Sequence, residues 1–498
     1  MMLPSLEEVK RLASEHNVIP LCRSVLADTE TPVSVWKKLF SDRKYSFLLE
    51  SVTGGESLAR YTFLGGDPFL TFTLQNGEWE ISGDEQSRGK GDPIKVLRQL
   101  LARYKQAKIP GLPRFTGGAV GYFSYDSIRL WENIPDKNPK HDPLDDIFFA
   151  FYKDLIVFDN REHRLYLISN LIIEPGADIE RKYSEALLQI DSMYSRMSTV
   201  LGNTDISVKA CSAPVSNYKK EEFEAAVERC KEYIKAGDIF QVVLSQRFTI
   251  DVEADPFDLY RILRVVNPSP YMFYLSLGDA SVIGASPEML VRVENGIVEV
   301  RPIAGTRRRG ENDLEDEQLI VDLKSDPKEI AEHVMLVDLG RNDVGRVSEY
   351  GSVKVEEMMH IEKYSHVIHL VSNVHGTLNK DNDIFDALFS CFPAGTLSGA
   401  PKIRAMEIID EQEPVRRGLY GGALGYIDFG GNMDTCIVIR TIVYHNGKAL
   451  IQAGAGLVAD SVPANEYQET VHKANALFSA IKNASEIAGG AQTPEERL

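Results

Sequence analysis

The sequence predicts an α+β fold in which large, mostly antiparallel β-sheets carry helices on their outer faces. Residues 15–195 contain many short β-rich runs, such as Y-S-F-L-L-E-S-V and L-I-V-F-D. Later in the chain, strand-like runs such as C-I-V-I-R-T-I-V-Y alternate with long helical segments. A polar stretch at residues 196–217 separates the two parts and is predicted to be a linker. We therefore expect a β-rich N-terminal domain over residues 1–200 and a second domain over residues 215–490.

The composition is that of a globular protein and excludes several functions. The chain has 498 residues, 43% of them hydrophobic and 26% charged, with a formal net charge of −18. This negative charge disfavours nucleic acid and anionic membranes as partners, and no long apolar run predicts a membrane span. Five widely spaced cysteines and an N-terminus without the apolar centre of a signal peptide predict a cytoplasmic protein. An anionic substrate would need local positive charge to overcome the bulk field.

One predicted helix near the end of the chain carries a charged stripe. It begins near Pro463, and helical spacing places Glu466, Glu469 and Lys473 together beside its apolar face. The stretch Q-A-G-A-G-L at residues 452–457 comes shortly before it and is predicted to be a turn that presents bare backbone. These residues form either a solvated helix end or one half of an anion and metal site, and spacing alone leaves both interpretations open.

A second predicted helix has the same pattern. Asp326 is a suitable N-cap, Pro327 suits the first helical position, and Glu329 and Glu332 stand three residues apart on one face. Four carboxylates brought together would need a cation. Mg²⁺ fits such hard oxygen ligands, because it takes one or two carboxylates, keeps waters and completes its shell with substrate oxygens. Glutamates at this spacing are also common on solvated helices, and the pairing of two distant helices cannot be read from spacing.

Other segments also have both a structural and a functional interpretation. The loop F-P-A-G-T-L-S-G-A-P-K at residues 392–402 is either a tight packing turn or, through its exposed N–H groups, a carboxylate site. The basic run at residues 301–310 is an anion clamp or, as we favour, a solvated turn. Arg440 ends an apolar strand, where a charge is usually paired or functional. His369 lies on an alternating strand, where a lone histidine is more often structural.

Taken together, these strings resemble the chorismate-utilising enzymes, most closely the anthranilate synthase large-subunit branch of that family. The matching segments, in order through residues 215–485, are P-I-A-G-T-R-R-R-G, D-P-K-E-I-A-E-H-V-M-L-V-D-L-G-R-N-D-V-G, F-P-A-G-T-L-S-G-A-P-K, G-G-A-L-G-Y and Q-A-G-A-G-L-V-A-D-S. The N-terminal half matches more diffusely, chiefly through L-L-E-S at residues 48–51. The resemblance implies a sandwich of large antiparallel sheets with helices outside.

The resemblance also implies a reaction. Chorismate and ammonia give 2-amino-2-deoxyisochorismate, and elimination of pyruvate then leaves anthranilate, the first committed step of tryptophan biosynthesis. Glu288 matches the general acid that helps to expel the 4-hydroxyl group, and His369 matches a histidine associated with pyruvate elimination. Proton transfer of either kind needs a positioned group with a suitable pKa.

Metal and substrate positions follow from the same resemblance. The principal Mg²⁺ ligands match Glu332 and Glu469, and the neighbouring acidic positions match Glu329 and Glu466. The substrate-contact positions match Gly305, Thr306, Thr396, Tyr420, Arg440, Gly454, Ala455, Gly456 and Lys473.

Two positions distinguish this chain from other branches of the family. Members that use water as the nucleophile carry a lysine base where this chain has Gln241. With Glu288 and His369, Gln241 is the third residue predicted to act in catalysis. Aminodeoxychorismate synthases typically carry a lysine nucleophile where this chain has Ala304. Both substitutions favour ammonia as nucleophile and anthranilate as product. A 4-amino-4-deoxychorismate synthase and a catalytically silent chorismate- or tryptophan-binding subunit are the alternatives.

The resemblance implies a partner and an inhibitor. No cysteine lies in the G-x-C-x-G setting of a glutamine amidotransferase, so a separate glutaminase subunit is expected to supply ammonia in a heteromeric enzyme. L-L-E-S and N-P-S-P-Y-M-F-Y resemble the family's tryptophan feedback pocket. The predicted tryptophan-binding residues are Glu50, Ser51, Pro270, Tyr271 and Met272, and their alternative role is ordinary strand packing.

Overall fold

The computed structural model describes residues 2–52, 60–202, 204–363 and 367–488. In this part of the chain the strands are β1 (Met2–Leu3), β2 (Val18–Leu26), β3 (Tyr45–Glu50), β4 (Tyr61–Gly66), β5 (Leu70–Gln75), β6 (Glu78–Gly83), β7 (Ser87–Lys90), β8 (Gly118–Phe123), β9 (Ile147–Tyr152), β10 (Asp154–Asp159), β11 (Arg164–Ile172), β12 (Val208–Cys211), β13 (Val215–Ser216), β14 (Gln241–Ala254), β15 (Tyr271–Leu277), β16 (Ala280–Ser286), β17 (Met289–Glu294), β18 (Ile297–Val300), β19 (Ile303–Arg308), β20 (Lys354–Lys363), β21 (Val367–Thr377), β22 (Gly399–Ala400), β23 (Ala423–Asp428), β24 (Met433–Ile437), β25 (Thr441–His445) and β26 (Lys448–Leu457).

The α-helices of the same described ranges are α1 (Leu6–Leu12), α2 (Pro32–Leu39), α3 (Pro93–Leu101), α4 (Ile179–Met197), α5 (Lys220–Ala236), α6 (Pro256–Val266), α7 (Asp313–Ser325), α8 (Pro327–Gly345), α9 (Ile384–Cys391), α10 (Gly395–Ser398), α11 (Lys402–Gln412) and α12 (Pro463–Ala488). A 3-10 helix spans Tyr125–Leu130. None of these helices is long and apolar enough to cross a membrane.

The strands form two large antiparallel sheets. The first has 14 strands in the order β1-β2-β11-β10-β4-β3-β15-β16-β25-β26-β14-β12, with β13 and β22 also paired to β14. The second has 12 strands in the order β19-β21-β18-β17-β24-β23-β8-β9-β5-β6-β7, with β20 paired to β21. Both sheets draw strands from both halves of the chain, because β3 pairs with β15 and β8 pairs with β23. The domain limits at 1–200 and 215–490 stay a prediction.

Alternating side chains pack the two sheets into a sandwich. Along β10, Leu155 and Val157 lie in the core between the sheets, whereas Ile156 and Phe158 lie in the core under the outer helices. Helices α4, α6 and α12 contribute to that outer core on the first sheet. Helices α3 and α9 contribute to a separate core on the second sheet. The predicted α+β sandwich with helices outside is therefore confirmed.

The string G-G-A-x-G-Y occurs twice in the sequence, at residues 117–122 and 421–426, and the two copies pair with each other. Strands β8 and β23 are neighbours in the second sheet, with Gly121 opposite Gly425. A Cβ atom at Gly121 would lie 1.9 Å from the Phe148 carbonyl oxygen, and one at Gly425 would lie 1.9 Å from the Asp434 carbonyl oxygen. Glycine is therefore required where the two copies meet.

Two local predictions are wrong. The glycine-rich stretch at residues 452–457 is the end of strand β26 rather than a turn, because it pairs with β14 from Gln452 to Leu457. The predicted linker at residues 196–217 contains the short strands β12 and β13, both of which pair with β14. In each case pairing to the long strand β14 overrides local composition.

Candidate active site

A cavity of about 950 Å³ opens where strands of both sheets end beside the first turns of α8 and α12. Most of the predicted site residues lie on its walls. They are Gln241, Glu288, Gly305, Thr306, Glu329, Glu332, His369, Thr396, Arg440, Gly456, Glu466, Glu469 and Lys473. The structure thus collects in one place residues that are widely separated in the sequence.

One wall of the cavity is the glycine-rich end of β26. Strand β25 pairs with β26 only as far as Ile442 opposite Ile451, so the following residues of β26 have no strand neighbour on that edge in the described chain. The Tyr420 hydroxyl packs against this strand, where a Cβ atom at Gly454 would be 2.8 Å from it. Glycine therefore allows close approach to the backbone edge, whose N–H and C=O groups are strong hydrogen-bonding groups.

Two cations flank the glycine strand. Lys473 donates from Nζ to the Gly454 carbonyl oxygen at 3.0 Å and to Glu469 Oε1 at 2.8 Å. Arg440 directly precedes β25 with a φ of 50°, a strained conformation for a residue with a side chain. Among the described residues, Arg440 makes no ion pair with a carboxylate, so its guanidinium can receive an anionic ligand.

Glu288 lies in the short connection between β16 and β17. Burial raises the pKa of its carboxyl group, against the opposing effects of Arg440 and Lys473. Its Oε2 accepts a long hydrogen bond of 3.4 Å from the Thr396 hydroxyl. Its backbone is fixed, because the Ile437 N–H donates to the Glu288 carbonyl oxygen at 3.0 Å. A buried carboxyl with a raised pKa is suited to donating a proton.

His369 stands on β21, opposite Thr306 of β19. Its Nδ1 lies 3.2 Å from the Gly305 carbonyl oxygen and 3.1 Å from Thr306 Oγ1. Because a carbonyl can only accept, Nδ1 carries the proton of the neutral ring. Burial lowers the pKa of the ring and keeps it neutral, with Nε2 as its basic nitrogen.

The acidic pairs occupy the first two turns of α8 and α12. Asp326 caps α8 by accepting hydrogen bonds from the N–H groups of Lys328 and Glu329, as predicted. Glu329 Oε1 accepts a hydrogen bond from Arg307 at 3.0 Å. Glu332 and the α12 glutamates line the same cavity.

The electrostatics link the two helices across the cavity. Burial raises the pKa of Glu332, and repulsion from Glu329 and from Glu469 of the other helix raises it further. Burial and repulsion from Glu469 likewise raise the pKa of Glu466. Accumulated carboxylates of this kind fit a divalent cation.

The carboxylates of the two helices offer hard oxygen ligands. Such ligands suit Mg²⁺, which is held by one or two carboxylates and completes its shell with water and substrate oxygens. Within the described ranges, His, Cys, Asp and Glu side chains form no group of three close enough to enclose a metal.

Three predicted substrate-contact residues lie behind the cavity wall. Tyr420 is half-buried with its hydroxyl group against Gly454, and it does not line the cavity. The side chain of Ala455 is fully buried in the core formed by α5, α11 and β14, so only its backbone can face a ligand. Gly454 likewise contributes backbone alone.

The basic run at residues 301–310 is neither an anion clamp nor a solvated turn. Arg307 pairs with Asp322 at 2.6 Å, Asp326 at 2.8 Å and Glu329 at 3.0 Å. Arg301, Arg308 and Arg309 pair with Glu362, Glu315 and Asp316. These arginines therefore fasten α7 and α8 to strands β19 and β20.

A second, smaller cavity of about 50 Å³ lies between the two sheets. All five residues predicted to bind tryptophan line it: Glu50, Ser51, Pro270, Tyr271 and Met272. Glu50 is buried, and its Oε1 accepts hydrogen bonds of 2.5 Å from the Tyr260 hydroxyl and from Arg264 Nε. Pro270 also lines the first cavity, so one residue borders both.

Sequence reasoning missed several residues of the two cavities. Lys328 of α8 lines the first cavity beside Glu329. Arg114 and Asp434 line the second cavity and form an ion pair of 3.2 Å. The Lys-Glu pair of D-P-K-E-I could have indicated Lys328. The Arg114–Asp434 ion pair joins positions far apart in the sequence, so no local pattern indicated it.

Comparison with known proteins gives one consistent result. The sequence profile of the family described as chorismate binding enzyme matches residues 45–479. An anthranilate synthase component 1 from Acetivibrio thermocellus is 51% identical over 496 residues, covering 98% of this chain and all of that protein. One from Pseudomonas putida is 49% identical over 490 residues, covering 96% of this chain and 99% of that protein.

Solved structures agree with the sequence comparison. The crystal structure of anthranilate synthase component I from Streptococcus pneumoniae superposes with a TM-score of 0.76 at 37% identity, covering 91% of this chain and 98% of that one. The menaquinone-specific isochorismate synthase of Escherichia coli, at 18% identity and a TM-score of 0.69, shares the fold over 96% of this chain and 98% of that one.

Proposed function

The chain belongs to the family of chorismate binding enzymes, and within that family we propose that it is the large subunit of an anthranilate synthase. It converts chorismate and ammonia into anthranilate and pyruvate, the first committed step of tryptophan biosynthesis. The observation that carries this proposal is the first cavity. It combines a buried carboxyl, a neutral histidine, an arginine without an ion-pair partner in the described chain and two acidic helices.

Chorismate carries two carboxylates, and the cavity offers a separate partner for each. Arg440 would bind the enolpyruvyl carboxylate through charge-assisted hydrogen bonds. Glu332 and Glu469, with Glu329 and Glu466 beside them, would hold Mg²⁺. When bound, that ion neutralises the acidic helices and attracts the ring carboxylate. A cation between protein and substrate explains how a chain of net charge −18 accommodates a dianion.

Two residues carry out the proton transfers, Glu288 as an acid and His369 as a base. Burial raises the pKa of Glu288 and so favours the protonated form, which donates its proton to the leaving 4-hydroxyl group, and this group departs as water. Ammonia adds to the ring as the C–O bond breaks, and the proton that the new ammonium group then loses restores the Glu288 carboxyl group. His369, neutral and protonated at Nδ1, can accept a proton at Nε2 during loss of pyruvate.

The residue at position 241 supports ammonia as the nucleophile. Gln241 begins β14 on the cavity wall, and its amide cannot deprotonate water. Ala304, also on the wall, offers no nucleophile. Lys473 is held by Glu469 and by the Gly454 carbonyl oxygen, which fits a role in charge balance.

A glutaminase partner subunit would supply the ammonia. The matched relatives are called component 1, which implies a second component. We place the enzyme in the cytoplasm, and its five free cysteines, four of them buried, are consistent with a reducing compartment.

The second cavity is proposed as a feedback site for tryptophan. The Glu50 carboxylate can attract the ammonium group of an amino acid, and the aromatic walls suit an indole ring. A cavity of about 50 Å³ must enlarge to admit such a ring. Binding therefore favours a conformation with displaced walls, and Pro270 carries the displacement to the first cavity.

The test is product analysis with the purified chain. Chorismate, Mg²⁺ and excess ammonium at alkaline pH should yield anthranilate and pyruvate without any partner protein. Formation of 4-amino-4-deoxychorismate or of isochorismate would assign the chain to another branch of the family. Absence of turnover would instead favour a silent binding subunit.

A further inference from the structure

A buried ion pair behind the first cavity has no role in the reaction described above. Arg417 and Glu413 have side chains only 1% and 3% exposed, and neither lines the cavity. The guanidinium donates from Nη2 to Glu413 Oε1 at 2.6 Å and from Nε to Oε2 at 3.0 Å. Such pairs are costly to bury and often contribute little to stability, so their role lies elsewhere.

The remaining donors of Arg417 bind two walls of the cavity. Nη1 donates to the Leu397 carbonyl oxygen at 2.6 Å, in the short helix α10 that also holds Thr396. Nη2 donates to the Val243 carbonyl oxygen of β14 at 2.6 Å. Val243 stands opposite Gly456 in the sheet, so this bond positions the strand that supports the glycine wall.

Glu413 binds the same strand two residues farther along. Its Oε1 accepts hydrogen bonds from the Ser245 N–H at 2.9 Å and from the Ser245 hydroxyl at 2.8 Å. Ser245 stands opposite Gly454. The two charged side chains therefore fix β14 at the positions opposite Gly456, which lines the cavity, and Gly454, which lies behind its wall.

Aromatic packing completes the arrangement. The guanidinium carbon lies 4.7 Å from the ring centre of Tyr125 and 5.5 Å from that of Tyr420, within cation–π distance of both rings. Tyr420 is the residue whose hydroxyl packs against Gly454. One buried cation thus contacts three parts of the site: helix α10, strand β14 and Tyr420.

We propose that the Arg417–Glu413 pair is a positioning device that fixes the glycine strand, Tyr420 and α10 for chorismate binding. This inference rests on the proposed function, because the bound substrate is taken to be chorismate. A planar group with five donors suits the task, since the three donors of a lysine could not make two bonds to the carboxylate and one to each carbonyl group.

The experiment removes both charges at once. In the double variant Arg417→Met with Glu413→Gln, no unpaired charge is buried, and glutamine still offers an acceptor to Ser245. A matched control is Arg60→Met with Asp159→Asn, which removes a bidentate pair in the N-terminal half, with Nη2 2.8 Å from Oδ2 and Nε 3.2 Å from Oδ1. Asparagine there keeps an acceptor for the turn N–H groups of Arg161 and Glu162.

We expect both double variants to fold, with thermal unfolding midpoints close to that of the wild type. The Arg417/Glu413 variant should lose about 100-fold in kcat/KM for chorismate, with a raised KM, because small displacements of binding groups are costly. The Arg60/Asp159 control should keep the wild-type kcat and KM. A folded Arg417/Glu413 variant with wild-type kcat and KM would overturn the inference.

A second variant covers the case in which the double variant does not fold. Arg417→Lys keeps the charge beside Glu413 but cannot make all the hydrogen bonds, so its chorismate KM should rise while its unfolding midpoint changes little. Wild-type kinetics in that variant would overturn the inference. Wild-type enzyme is assayed in parallel to distinguish failure of this inference from failure of the proposed function. A wild type that forms no anthranilate refutes the proposed function, whereas an active wild type with equally active variants refutes the positioning role.

Discussion

The two cavities differ in size and in the residues that line them. The first measures about 950 Å³ and is lined by glutamates, lysines, an arginine and bare backbone. The second measures about 50 Å³ and lies between the sheets among aromatic rings, with few charged groups. A roomy, charged cavity can receive a hydrated anion and a metal without rearrangement, whereas a small cavity in a packed core must move its walls to admit a ligand. The first is thus suited to catalysis and the second to regulation.

The largest expected effect comes from the acidic wall of the first cavity. Glu469→Gln should abolish Mg²⁺-dependent anthranilate formation, because the amide keeps the shape of the side chain but loses the charge that holds the ion. Initial rates across a Mg²⁺ titration provide the measurement. Full activity in this variant would remove Glu469 from the metal site.

The same helix offers a matched control. Glu486 pairs with Lys482 at 3.6 Å, with the spacing that joins Glu469 to Lys473, but it does not line the cavity. Glu486→Gln should keep wild-type activity. A comparable loss in both variants would point to damage to α12 rather than to loss of a ligand.

A smaller loss of activity is expected when the general acid Glu288 is replaced. Glu288→Gln should lower kcat about 1,000-fold, the usual contribution of a general acid, with little change in the KM for chorismate. Because burial raises the pKa of Glu288, its protonated form persists above pH 4.5. At fixed free ammonia, kcat of the wild type should fall as pH rises through that raised pKa, and the variant should lack this limb. A variant that retained the limb would assign it to another group.

The smallest effect on turnover should come from the second cavity. Ser51→Phe places a ring in a cavity that borders Pro270 and Tyr271, so tryptophan should inhibit this variant much less than the wild type. Its kcat and its KM for chorismate should be unchanged in the absence of tryptophan. Dose–response curves for both proteins check this, and equal inhibition would discard the pocket assignment.

Local sequence signals predicted the individual helices better than they predicted how distant helices pack together. The Asp326 cap, the Pro463 helix start and the paired glutamates are set by neighbouring residues, and the structure has each where the spacing places it. The meeting of Glu332 with Glu469 depends on how two distant helices pack, which no local pattern encodes. The family resemblance supplied that link.

The remaining features depend on long-range pairing. Glycine content predicted a turn at residues 452–457, but pairing with β14 makes it a strand. The Arg417–Glu413 pair was missed because the stretch E-Q-E-P-V-R-R at residues 411–417 is rich in charge, a composition typical of solvated surface. Only the structure shows that these two side chains are buried. The division of the chain into halves likewise conceals that β3 and β8 pair with strands from the second half.

Isotope labelling tests the central claim most directly. The purified chain would be incubated with chorismate, Mg²⁺ and ¹⁵N-labelled ammonium, and the product examined by NMR together with the amount of pyruvate released. We expect one labelled amino group ortho to the ring carboxylate and one pyruvate for each product molecule. Nitrogen at the para position, or an unlabelled hydroxylated product, would contradict this expectation.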